Sequence, residues 1–296
     1  MTYREKYFEL QKHQNKYLNL SAIKSLLIDN GGFADFFNLI KHFDEELKDE
    51  NKLNKQIEEL TSGKPLQYVL GYAYFVNSNY KVTPDVLIPR QETEQLAVST
   101  LTTIVKMFGK EPKITIVDIG TGSGILGIYL KEYFPKSKVI CTDISEKALE
   151  IAKENAKLHH VEIDFRQGDM LEPIMNEDSI DVIVSNPPYI PSKDTVDPQT
   201  LEHEPHLALF ASPAIKYYEI ILTSIDKQLM NDNKFLIAFE IGEDMEEDLT
   251  KLLEDKYPGI MYRFDKDIYD KTRFLFIVNN KDVIFALNIC IAISLF

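Results

Sequence analysis

From residue 113 onward, short apolar runs alternate with amphipathic helical patterns, and this alternation constrains the fold more than any other feature of the chain. The runs are "KITIVDIG", "KVICTD", "EIDFRQ", "IDVIVSN", "KFLIAFEIG", "IMYRFD" and "RFLFIVN". Between most of them stand helical patterns: "ILGIYLKEYF", "SEKALEIAKENAKLHH", "AIKYYEIILTSIDKQL" and "EDMEEDLTKLLEDK". Strands separated by helices pair in parallel, because the crossover returns each strand in the same direction and covers the sheet on both faces. The last two runs are joined only by "KDIYDKT". So short a joint permits an antiparallel pair but not a parallel crossover. The expected fold is therefore α/β and Rossmann-like, with seven strands and an antiparallel last strand. In such sheets ligands bind at the carboxyl ends of the strands.

The segment before this pattern is different. Its first sixty or so residues read as helices. "FADFFNLIKHFDEEL" places Phe33, Phe36, Phe37, Ile40 and Leu47 on one stripe, Ser21 is positioned to cap "AIKSLLIDN", and Gly31-Gly32 would stop that helix. "YAYFVNSNYKVTP" reads as a β-hairpin turning at Asn-Ser-Asn. These signals divide the chain into a helical domain over 1–71, a hairpin linker over 72–84, the α/β domain over 85–280 and an apolar tail over 281–296. The tail, "VIFALNICIAISLF", is too short to span a membrane as a helix. A chain of 296 residues, 44% hydrophobic, is long enough for a large core and a second small domain. A net charge of −14 disfavours a broad grip on nucleic-acid phosphates. Cys141 and Cys290 lie far apart and support neither a disulfide framework nor a zinc site. The polar start "MTYREKYFELQKHQ" lacks a signal-peptide segment, so a cytoplasmic location is expected.

Chemistry concentrates at four strand ends. After the first, "VDIGTGSGILGI" carries Gly120, Thr121, Gly122, Ser123 and Gly124, a loop whose backbone can approach a ligand closely. Gly122, Gly124 and Gly127 also satisfy the dinucleotide spacing G-x-G-x-x-G, so the loop alone leaves the ligand open. Asp143, closing the second run, is spaced to take both ribose hydroxyls of a nucleoside. Asp118 at the loop's mouth would repel a pyrophosphate and attract an ammonium group; the alternative is a carboxylate that orients the loop. "QGDML" adds Asp169, an acceptor for an adenine amino group, and Met170, an apolar contact for the ring. Together these residues point to S-adenosylmethionine.

At the fourth end, "SNPPYIP" (185–191) sets Asn186 and Tyr189 on a turn stiffened by Pro187 and Pro188, since proline cannot continue the sheet. A planar amide or exocyclic NH₂ group has a delocalised, weakly nucleophilic lone pair. The Asn186 side-chain oxygen and the Pro187 carbonyl can accept its two N–H bonds, while Tyr189 offers a face for stacking. The turn reads as a clamp for a planar NH₂ group.

With these motifs the chain resembles the HemK/PrmC family of protein-(glutamine-N5) methyltransferases over roughly residues 5–280. The resemblance rests on "KPLQYVLGYAYF", "VTPDVLIPRQETE", "VDIGTGSGILGI", "TDIS", "SNPPYIP", "EPHLALF" and "FEIGEDM". It implies a class I S-adenosylmethionine-dependent methyltransferase whose partners are class I peptide chain release factors, with no stable nucleic-acid or membrane binding. It implies that Gly120–Gly124 and Asp143 hold the cofactor and that Asn186, Pro187, Pro188 and Tyr189 hold the glutamine. Gln91 replaces the commoner proline of "IPRPETE", and Met170 stands where relatives often carry an aromatic residue. Arg90 is weighed equally as a substrate contact and as a structural ion pair. "SNPPY" also occurs in amino-methyltransferases of adenine and guanine, so methylation of adenine N6 in nucleic acid, or of a ribosomal protein's glutamine, are the competing activities. "HEPH" (203–206) lacks the helical spacing of a zinc motif, and no metal is expected.

Overall fold

The computed structural model describes residues 1–177, 179–224 and 234–279; the tail over 281–296, Cys290 and the end of the helical pattern at 225–229 lie outside the described residues. The helices of the first segment are α1 (Tyr3–Lys12), α2 (Leu20–Gly31), α3 (Phe36–Lys41), α4 (Glu50–Thr61) and α5 (Leu66–Leu70). They enclose a core of their own that includes Tyr3, Leu26, Leu27, Leu39 and Leu53. Thr2 and Glu5 form a reciprocal capping box at α1.

Three local readings of this segment are corrected. The cap of α2 is Asn19, whose Oδ1 accepts from Ala22 N at 3.0 Å, which leaves Ser21 inside the first turn. Gly32, with φ +65°, ends that helix as expected. The aromatic stripe does not form, because Asp35 caps α3 through Asn38 N and the chain leaves the helix at His42. A helix of six residues is too short to align positions 33 to 47. It buries Leu39, with Phe43 just beyond its end, and leaves Phe37 66% exposed and Ile40 44% exposed. The hairpin of β1 (Tyr72–Phe75) and β2 (Ser78–Lys81) turns one residue early, at Val76 and Asn77, both with positive φ. A two-residue turn with both residues at positive φ matches the strands' right-handed twist.

The remaining elements are α6 (Gln91–Phe108), β3 (Thr115–Ile119), α7 (Ile125–Tyr133), β4 (Lys138–Asp143), α8 (Glu146–Leu158), β5 (Asp164–Gln167), β6 (Val182–Ser185), α9 (Pro198–His203), α10 (Lys216–Ser224), β7 (Leu236–Glu240), α11 (Glu246–Lys256), β8 (Met261–Lys266) and β9 (Thr272–Val278). Among the described residues, seven strands form one sheet in the order β5-β4-β3-β6-β7-β9-β8. Strands β3 to β7 pair in parallel, and β9 runs antiparallel to β7 on one side and to β8 on the other. The antiparallel strand is thus interior, and β8 occupies the edge. Strand alternation divides the core in two: Ile116, Val184 and Phe276 pack with α6 and α7, while Val117, Ile183 and Ile277 pack with α10 and α11.

Helix α7 packs against the sheet at Gly127, where there is no room for a side chain. A Cβ at that position would stand 2.2 Å from Cys141 Sγ and 3.3 Å from Asp118 Oδ2. Gly127→Ala is therefore expected to destabilise the fold by about 1 kcal/mol or more, since overpacking costs about 1–3 kcal/mol and helix propensity returns at most about 1. The midpoint of urea unfolding checks this; an unchanged or raised midpoint would mean that α7 shifts freely.

Candidate active site

Strand β3 delivers its chain into the glycine loop, where Gly120, Gly122 and Gly124 adopt φ of 68°, 53° and 84°. L side chains rarely adopt this region, and the loop can turn there without strain. Gly124 N donates to Thr121 O at 2.8 Å, and α7 starts immediately afterwards. Two bonds strap the loop to the end of β4: Thr121 N donates to Thr142 O at 2.9 Å, and Gly122 N to Asp143 Oδ2, also at 2.9 Å. The second carboxylate oxygen of Asp143 accepts from Ser145 N at 2.8 Å, at the start of α8. Burial pushes the Asp143 carboxyl up, against the pull of these backbone N–H groups.

Asp118 stands behind the loop instead of at its mouth. It shares the parity of Ile116 along β3 and so faces α7. Its Oδ2 accepts from Thr121 Oγ1 at 2.6 Å and from Gly127 N at 3.0 Å. Burial raises this carboxyl to about 6, opposed by those two donors. The geometry is that of a carboxylate orienting the loop from below.

A cavity of about 220 Å³ opens in front of the loop. Gly120, Thr121, Gly122 and Ser123 form one wall, and Asp143 stands beside them. Asp169 and Met170 reach it from the end of β5, with Asn186 and Pro188 from the end of β6. Thr142 also lines the cavity, while its Oγ1 is turned away from solvent with no partner among the described residues. Gly124 and Pro187 lie just outside the lining.

A second cavity, about 230 Å³, lies on the far side of the Asn-Pro-Pro-Tyr turn. Arg90, Tyr189, Asp197, Thr200 and Glu240 line it, and Asn186 borders both cavities. The turn leaves β6 where Ser185 Oγ donates to Ile119 O at 2.6 Å. Asn186 Nδ2 donates to Thr93 Oγ1 at 3.1 Å, and Thr93 Oγ1 in turn donates to Glu240 Oε2 at 2.7 Å. Tyr189 OH lies 3.4 Å from Glu240 Oε1, the long end of the hydrogen-bond range. Burial raises both the Tyr189 phenol and the Glu240 carboxyl, the latter to about 7. Arg90 Nη2 pairs with the buried Glu204 at 2.5 Å, and Glu204 also accepts from Ile88 N at 3.1 Å.

Thr93, Glu204 and Glu240 escaped the sequence reading. Glu240 did carry a legible signal: an acidic residue closes the apolar run "KFLIAFE", as Asp143 closes "KVICTD". Among the described residues no cluster of His, Cys, Asp or Glu is placed to hold a metal ion. His203 and His206 direct ring nitrogens at the carbonyls of Gln199 and Leu201, at 3.1 and 2.8 Å. His159 follows α8, stacked on Tyr80 with its Nδ1 3.0 Å from Glu132. No helix of the described residues is long and apolar enough to cross a membrane.

A glycine loop backed by one acidic residue and strapped to another, on a sheet with an inserted antiparallel β9, defines a class I methyltransferase. Residues 97–208 match the methyltransferase small domain family. The chain is 37% identical over 244 residues to a release factor glutamine methyltransferase of Bacillus cereus, a match covering 80% of this chain and 85% of the relative. With the enzyme of the same name from Enterococcus faecalis it shares 32% identity over 279 residues, covering 91% and 98%. The chain belongs to the release factor glutamine methyltransferase family. Among solved structures, the hMettl16 catalytic domain in complex with MAT2A 3′UTR hairpin 6 matches with a TM-score of 0.50 at 14% identity, over 79% of this chain and 83% of that one. That is a likeness of fold alone.

Proposed function

We propose that this chain transfers a methyl group from S-adenosylmethionine to the side-chain amide nitrogen of the glutamine in the Gly-Gly-Gln motif of class I release factors. One observation carries the reading: Asn186 borders both cavities, with its amide held by Thr93 so that Oδ1 is left for a ligand. A donor in the first cavity and an amide entering through the second would meet at this residue.

The first cavity fits the donor. Asp143 is the acceptor for the ribose hydroxyls, Met170 the apolar contact for the adenine, and the loop backbone at Gly120–Ser123 the wall for the methionine portion. Asp118 supports this site through the loop instead of touching the ligand. When bound, S-adenosylmethionine supplies an electrophilic methyl group on a sulfonium.

Everything else falls to the chain. Asn186 Oδ1 and the Pro187 carbonyl accept the two N–H bonds of the glutamine amide, and the paired prolines keep these acceptors from turning away. Tyr189 supplies the flat wall against which the amide lies. The amide nitrogen forms the new C–N bond as the methyl–sulfur bond breaks. It becomes acidic as it does so and releases one proton to water, so no strong base is needed. The second cavity is linked to the helical segment through α9: its wall residues Asp197 and Thr200 belong to the α9 turn, whose Gln199 Nε2 donates to Gly63 O at 2.8 Å. We assign the helical segment to docking of the release factor, in the cytoplasm where translation ends.

Purified protein incubated with labelled S-adenosylmethionine is expected to add one methyl group to that glutamine, located by mass spectrometry. Replacing the glutamine with alanine should abolish incorporation. Methylation of DNA or of a ribosomal protein with release factors untouched would overturn the assignment.

A further inference from the structure

We propose that Glu240 and Thr93 form a relay that sets the orientation of the Asn186 amide, which makes Glu240 a positioning residue for the acceptor. The inference rests on Asn186 being the amide clamp. A side-chain amide has two orientations of nearly equal shape, and only one turns the oxygen toward an incoming N–H. The choice is made by Thr93. Its hydroxyl has one hydrogen, and at 2.7 Å that hydrogen is given to Glu240 Oε2. The Thr93 oxygen is then left only to accept, so Asn186 must present Nδ2 to it at 3.1 Å. Oδ1 is directed the other way, and no described residue donates to it.

The relay is built into the fold. Glu240 ends β7 beside β6, whose end carries Asn186, and Thr93 comes from the first turn of α6. The main-chain oxygen of Glu240 accepts from Tyr218 OH on α10 at 2.7 Å, which fixes the carboxylate's base. Thr93 and Glu240 are only 3% and 2% exposed, so water does not compete for these bonds. The charged and titratable groups facing Glu240 are Glu92 on α6, Arg273 on β9, Tyr189 after β6 and Tyr218 on α10. Arg273 is committed to Glu243 and Asp267, at 3.3 and 3.4 Å. Ionised, Glu240 is purely an acceptor and dictates the polarity of the chain. Protonated, it becomes a donor and removes that constraint. Transfer should therefore weaken as pH falls through the range near 7 where burial places this carboxyl.

The test compares Thr93→Val, Thr93→Ser, Glu240→Gln and Asn186→Ala with the intact enzyme on a release factor, by kcat, acceptor KM, cofactor Kd and the pH profile of kcat. Thr93→Val and Glu240→Gln are expected to lower kcat by about 10- to 100-fold with cofactor Kd unchanged. Thr93→Ser should restore most of the rate. The acid limb near pH 7 should vanish in both slow variants, and their double variant should be no slower than the slower single one. A fast Thr93→Val enzyme, independent losses in the double variant, or an acid limb that survives Glu240→Gln would overturn the relay. Glu240→Gln keeps the buried shape and carries the same test should the valine disturb the fold. Asn186→Ala separates the two levels: a fast Asn186→Ala enzyme sinks the clamp itself, whereas a slow one beside a fast Thr93→Val sinks only the relay.

Discussion

Asn186→Ala is expected to lower methyl transfer by about 10²–10³-fold, the usual cost of losing one preorganised polar group at a reacting centre. Binding of S-adenosylmethionine should stay within about twofold, because Asn186 is one of many residues lining the first cavity and the proposed cofactor contacts belong to the loop and Asp143. The residue's value lies in geometry. A weakly nucleophilic amide nitrogen reacts only if it is held in line with the methyl group, and two fixed acceptors on its hydrogens do this. With alanine the Pro187 carbonyl remains, so one N–H is still held and the nitrogen can rotate about it. Thr93 would lose its donor, but its own bond to Glu240 at 2.7 Å persists, and the fold should be little affected. Single-turnover kinetics with saturating cofactor measures the effect. Parallel loss of cofactor affinity and rate would place Asn186 in the cofactor site instead.

The architecture was legible in the sequence wherever a period was sustained. β4 runs Lys138–Asp143, as the run "KVICTD" reads, because a continuous apolar run and a terminal acid agree there. The short joint after β8 did mark an antiparallel pair, though not that β9 would insert between β7 and β8. Short elements misled, since six residues of α3 cannot define a stripe and a hairpin's twist picks its turn from residues of similar propensity. At the site, side chains carried by one loop were readable, but partnerships between distant segments were not. Thr93 and Glu240 are 147 positions apart and meet only because α6 packs on β7. Asp118 was misaimed for a different reason. Proximity to the loop suggested its mouth, whereas strand parity with Ile116 turns its side chain beneath α7.

Asp143→Ala should produce the opposite kinetic signature from Asn186→Ala. The carboxylate does two things at once: it accepts from Gly122 N and Ser145 N, and it lines the cavity where a ribose would lie. Removing it deletes the proposed charge-assisted bonds to the ribose and leaves two backbone N–H groups without their acceptor. S-adenosylmethionine affinity should fall by about 1.5–3 kcal/mol, roughly 10- to 150-fold in Kd. Asp143→Asn should not rescue it. An asparagine oxygen can accept from Gly122 N or from Ser145 N, and its NH₂ then confronts the other donor. Because the clamp is untouched, kcat at saturating cofactor should recover further in Asp143→Ala than in Asn186→Ala, with the loss appearing mainly in the cofactor KM. Calorimetry on the folded variant, its melting followed alongside, decides the binding claim. Unchanged affinity would remove Asp143 from the cofactor site, and comparable binding of NAD by the intact protein would overturn the choice of S-adenosylmethionine. Glycine spacing alone leaves that choice open; what separates the two ligands is the absence of a pyrophosphate to be cradled. The loop's N–H at Gly122 is already given to Asp143, so the loop offers a diphosphate one donor fewer than a loop with that N–H free.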